Sequence, residues 1–122
     1  MHRIVRWAIL CYGLVAWGVV LAANWDAVPA RLTDLPLLGF DLWNLFPFFL
    51  FFFLARRVKS IELLAPAAVC MAGFHLWALV QYFRSLSSTA GLIFLFLPLY
   101  TLAAAAAGLL AGAGLRRFLK RR

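Results

Sequence analysis

Charge is scarce in this chain, and negative charge scarcest of all. Only 13% of its residues are charged, and four are acidic: Asp26, Asp34, Asp41 and Glu62. The two histidines are His2 and His75, and the two cysteines are Cys11 and Cys70. Each scarcity excludes something. Four scattered acids supply no paired carboxylates for acid–base work. No grouping of His, Cys, Asp and Glu has metal-ligand spacing, so no metal or cofactor is expected. A single histidine within the apolar runs cannot supply both axial ligands of a haem. No nucleophile elbow or phosphate-cradling glycine loop occurs. Ser85, Ser87 and Ser88 have no histidine or acid beside them in sequence. An enzyme is therefore not expected.

What is present is apolar. Hydrophobic residues make up 66% of the 122, and mean hydropathy is +0.95. A soluble domain of this length could not hide so much apolar surface, so the expected solvent is lipid. The net charge of +8 does not point to nucleic acid here. The basic residues sit at the ends of apolar runs, where they act as topology signals.

The longest run is Gly91 to Leu115, GLIFLFLPLYTLAAAAAGLLAGAGL, and it stops against RRFLKRR. About 20 residues at ~1.5 Å each cross the hydrocarbon core, so this reads as a spanning helix. Three more spans are expected over 7–23, 39–55 and 61–83. The first also resembles a signal peptide, with a basic start and small residues at Ala22 and Ala23, but 17 apolar residues followed by more membrane favour a span. Between the first two, Pro29 and Pro36 interrupt any long helix. Trp25 stands where an interface aromatic would, and Val28, Leu32, Leu35 and Leu37 could lie along the headgroups. The second span either begins near Leu37 and carries Asp41 just below the surface or has Asp41 as the cap of a shorter helix; a start near Gly39 to Asp41 is favoured, with Pro47 in or just past the first turn. Six of the eight residues from Phe46 to Phe53 are phenylalanine, read as lipid-facing bulk. Cys11 and Cys70 fall at different depths and read as small apolar fillers, not a disulfide.

Lysine and arginine number two before the first span, three in the second loop and five in the tail. The first and third loops have one each, Arg31 and Arg84. That asymmetry predicts a single-domain, all-α, up-down-up-down four-helix bundle with both termini cytoplasmic, most simply in a bacterial inner membrane. The two halves are hairpins of the same sense, and LFPFF resembles FLPLY around Pro47 and Pro98. A few matched residues in an apolar background are not enough to read a repeat.

Three groups of residues could carry function. His75 lies ~12 Å below the outer end of the third span at the helical rise, a depth shared by Tyr100 and Thr101. With Asn44 they could form a polar intramembrane layer that binds a small ligand or lines a path. The bland reading is hydrogen bonding across the bundle, worth ~0.6–2 kcal/mol. In the last span, Leu97, Thr101, Ala104, Gly108, Ala111, Gly112 and Leu115 share one stripe. The small members, above all Gly108 and Gly112, let another backbone approach. That partner could be a neighbouring helix, a second copy or another membrane protein. Arg56, Arg57, Lys59, Arg116, Arg117, Lys120, Arg121 and Arg122 should meet anionic headgroups. Glu62 is expected to pair locally with Arg56, Arg57 or Lys59.

The expected role is a non-catalytic accessory or interaction subunit acting through helix packing in the bilayer. Two alternatives stand beside it: a small oligomeric transporter or channel built on the His75 layer, and an immunity-type protein against a membrane-acting toxin. The first span carries no acid, whereas small multidrug exporters have a glutamate near its middle.

Overall fold

The computed structural model describes residues 1–27, 29, 33–85 and 92–122. Arg31, Val28, Leu32, Ser87, Ser88 and Gly91 fall outside them. Four α-helices make up most of the described chain: α1 (His2–Ala23), α2 (Leu35–Leu54), α3 (Ile61–Arg84) and α4 (Ile93–Lys120), with a 3-10 turn at Trp25–Ala27. All four are long and apolar enough to cross a membrane. Large hydrophobic side chains stand exposed along each of them. Such a surface is stable against hydrocarbon and not against water. The chain is a multi-pass integral membrane protein, an all-α four-helix bundle.

The helices extend beyond the expected spans at the start of α1, at the end of α4 and at the start of α2. Asp34, extended at φ −99°, is the N-cap, and Pro36 lies in the first turn. A proline there gives up an N–H that had no helical acceptor. Asp41 is therefore not a cap but a buried residue of the second turn, and Pro47 sits mid-helix. The Phe run is split: Phe48, Phe51 and Phe52 are buried, while Phe46, Phe49 and Phe53 face outward. Both cysteines are free and exposed on the lipid side rather than filling the core.

Backbone contacts place α3 closest to α4, then α1 against α2, α2 against α4, and α1 against α3. Walking around the bundle, the order is α1, α2, α4, α3. The α1/α2 and α3/α4 pairs are antiparallel hairpins, and the other two pairs are parallel. Because α1 lies beside α3, not across a diagonal from it, a two-fold axis along the membrane normal does not relate the hairpins. The Pro47/Pro98 likeness is thus not a symmetry of the fold.

Two apolar clusters form the core. One, toward the termini, holds Ile9, Phe48, Phe51, Ala55, Leu64, Ala67, Ala68, Met71 and Ala105. The other, toward the opposite end, holds Ala16, Trp17, Val20, Ala78, Leu79, Phe94 and Leu97. Tyr12 packs against both.

Between α3 and α4 the backbones touch. A Cβ added at Gly108 would lie 2.5 Å from the Pro66 carbonyl oxygen and 2.6 Å from the Ala67 Cα. At Gly112 it would lie 2.5 Å from the Glu62 carbonyl oxygen. That carbonyl belongs to the residue four before Pro66, so no i+4 N–H reaches it. Glycine lets a Cα–H take the place beside it.

The buried stripe of α4 is Phe94, Leu97, Pro98, Thr101, Ala105, Gly108 and Gly112. It is turned by about 40°, at 100° per residue, from the stripe read in the sequence. Ala104 is half-buried, while Ala111 and Leu115 face lipid. The reason is that α4 serves two neighbours. Pro98 and Ala105 turn toward the α2 side while the glycines hold α3.

Candidate functional site: a sealed polar layer

His75, in the middle of α3, packs against α1 and α2. Alternation of Leu64, Ala67, Ala68, Met71, His75, Ala78 and Leu79 puts it on the buried stripe of α3. It is 4% exposed. Its Nδ1 is 3.1 Å from the hydroxyl of Tyr12 on α1. The same hydroxyl is 3.3 Å from the Ala72 carbonyl oxygen. With Tyr12 Oη–H donating to Ala72 O, the imidazole Nδ1–H donates to Tyr12 Oη. Two rings hold the imidazole edge-on: Tyr12 at 5.6 Å and Phe48 at 4.9 Å between centroids. Gly13 makes room for Phe48, since a Cβ there would strike the Phe48 ring.

The structure brings together some of the residues named from sequence and not others. Thr101 is 0% exposed, and Asn44 is 4% exposed. Counting from the Gly108–Ala67 contact, Thr101 and His75 come to the same depth within a residue. Asn44 lies one turn outward of Phe48. Its Nδ2 donates to the Phe40 carbonyl at 3.0 Å, while its Oδ1 has no partner. The Thr101 hydroxyl also lacks one. No hydrogen bond joins either residue to His75 among the described residues. Tyr100 does not belong to the layer. It is 61% exposed, and its ring leans toward Phe74 at 6.4 Å. Consecutive residues are 100° apart on a helix, so burying Thr101 turns Tyr100 out.

The residue missed in the sequence is Tyr12. With a span start at Trp7 it sits too shallow to meet His75. The helix begins at His2, which places Tyr12 ~15 Å along α1 at the helical rise.

Chemically the layer is a set of buried donors and acceptors closed above and below by apolar clusters. Phe48 and Met71 are almost wholly buried on the side toward the termini, and Val20 and Leu97 on the other. A buried polar atom without a partner costs ~1–3 kcal/mol, a cost that Asn44 Oδ1 and Thr101 Oγ1 both carry. Among the described residues, no cluster of three or more His, Cys, Asp or Glu comes together to hold a metal.

The basic end is organised differently from expectation. Glu62 reaches Arg116 of α4 at 3.9 Å, not the nearby turn, and both are about half exposed. Such a pair contributes little. Arg6 and Arg56 both lie over the Phe52 ring, at 4.6 and 5.4 Å. Arg122 covers Phe118 at 4.8 Å. Arg57, Lys59 and Arg116 line a shared groove, and Arg116, Arg117 and Lys120 line the next.

No family, curated protein or solved structure matches this chain.

Proposed function

We propose that this protein is a non-catalytic subunit of a bacterial inner membrane that acts by packing against a partner within the bilayer, with both termini cytoplasmic. One observation carries the reading. Exposed apolar side chains run along every helix, while Asp41, Asn44, His75 and Thr101 turn inward and are buried. A partner would thus meet helix faces, not loops. The Gly108/Gly112 stripe is spent on α3, so a partner would use another face. On α4 the outward residues Ala103, Ala107, Ala111 and Gly114 are small, and a Cβ at Gly114 would meet nothing within 4 Å. Small residues of this kind favour close helix approach in lipid. Mild-detergent purification with partner identification tests this. Ala107→Leu with Ala111→Leu should release a co-purifying protein while the melting profile is kept. Retention of every partner would overturn the role of this face.

A transporter is the second reading. What favours it is the pair of partnerless buried oxygens, on Asn44 and Thr101. It requires that His75→Ala abolish flux of some ion or solute in proteoliposomes while the bundle stays folded.

A further inference from the structure

The basic end of the bundle continues into an apolar cleft, and the two share Val58. At the rim, Arg57, Lys59, Ser60 and Arg116 line a groove floored by Leu63. Above it the cleft runs between α2 and α4, with Phe51 and Leu54 on one wall and Leu102, Ala105, Ala106 and Leu109 on the other. We propose that this combined groove and cleft is a binding site for one anionic phospholipid, its phosphate at Arg57, Lys59 and Arg116 and one acyl chain between α2 and α4.

Charge is the first argument. Ten of the chain's Lys and Arg gather at this end, and the sole acid with them is Glu62. Among the described residues, the Glu62 carboxylate pairs with Arg116, at 3.9 Å and in part-exposed geometry. The groove therefore keeps at least two uncompensated cations beside a hydroxyl, which suits a phosphate better than any protein acid on offer.

Shape is the second argument. At the far end, α2 and α4 are drawn together. The Trp43 indole N–H donates to the Leu95 carbonyl at 2.9 Å, and Pro47 and Pro98 are fully buried. Toward the basic end, α4 lines that seam with Ala105 and Ala106 between Leu102 and Leu109, and the small alanines leave the cleft open. Seven residues separate Leu102 from Leu109, a cleft ~10 Å long at the helical rise. An apolar slot opening to lipid directly above a cationic rim matches a headgroup joined to a chain. A free anion would use the rim alone.

Native mass spectrometry of the purified full-length chain, titrated with phosphatidylglycerol, cardiolipin, phosphatidylcholine or inorganic phosphate, tests the site. The anionic lipids should bind one per chain, with phosphatidylcholine and phosphate far weaker. Arg57→Gln, Lys59→Gln and Arg116→Gln together should weaken binding roughly tenfold or more, since each near-surface charge contributes substantially. Arg121→Gln with Arg122→Gln should change it by less than about twofold, because those charges lie beyond the groove. Ala106→Phe should block the acyl chain while leaving the rim intact. An arm that does not depend on variants uses phosphatidylglycerol with a photoactivatable acyl chain, which should label residues 51–54 and 102–109 of the unaltered protein. Equal losses in the groove and tail variants, equal binding of phosphatidylcholine, competition by inorganic phosphate at comparable concentration, or labelling elsewhere would each overturn the proposal.

Discussion

Tyr12 and His75 show how a side chain's worth here depends on what it meets. Intramembrane hydrogen bonds average well below their vacuum strength, because the separated helices also find partners. Tyr12→Phe should therefore cost ~0.6–2 kcal/mol in an unfolding titration. Combined with His75→Leu it should show a coupling of about that size, which a double-mutant cycle reads directly. Phe48 is a different case. It fills the centre between three helices, and Phe48→Ala should cost ~3–5 kcal/mol. Phe49→Ala, on the lipid side, should stay within about 0.5 kcal/mol. The alternation of buried and exposed phenylalanines was not legible in the residues, because a run of identical side chains has no periodicity to read. His75 as a buried polar group was legible from its depth. Its partner was not, because the depth of Tyr12 depends on where α1 starts, and helix starts are set by basic residues that can continue a helix past the hydrocarbon.

Among the elements, the α3/α4 pair holds the bundle most closely. Gly108→Ala puts a methyl into the Ala67 backbone, which cannot swing aside as a side chain can, and should cost ~1–3 kcal/mol. Gly114→Ala, on the same helix but over open space, should be neutral or stabilising by up to ~1 kcal/mol from helix propensity. Comparing the two by thermal melting in detergent separates packing from propensity. That small residues at 108 and 112 mark a close helix contact could be read from the sequence. Which neighbour they face could not, since a stripe of small residues serves a second chain as well as the next helix. The 40° turn of that stripe was also hidden, because it comes from the demand of α2 on Pro98 and Ala105.

For the whole molecule, the count of spans and the shared end of both termini follow from hydropathy and from loop charge. The neighbour order does not. Loop lengths allow either α1 or α2 to lie beside α3, and the choice rests on packing of Tyr12 and Phe48 that no local pattern announces. Sidedness gives the clearest global test. Single cysteines in place of Arg57 and Arg122, in a Cys11→Ala, Cys70→Ala background, should both resist a membrane-impermeant maleimide added outside intact cells. A cysteine in place of Trp25 should react with it. Labelling of Arg57 and Arg122 positions on opposite faces would contradict the topology.

The glycine-lined seam also bears on how the bundle is completed. The tightest pairing in the fold joins α3 and α4, which follow one another along the chain. Before α4 joins, α3 lacks the backbone contact of Ala67 with Gly108 and keeps the contact of His75 with Tyr12 of α1. A fragment that stops at α3 should therefore be cut by protease faster than a chain that includes α4.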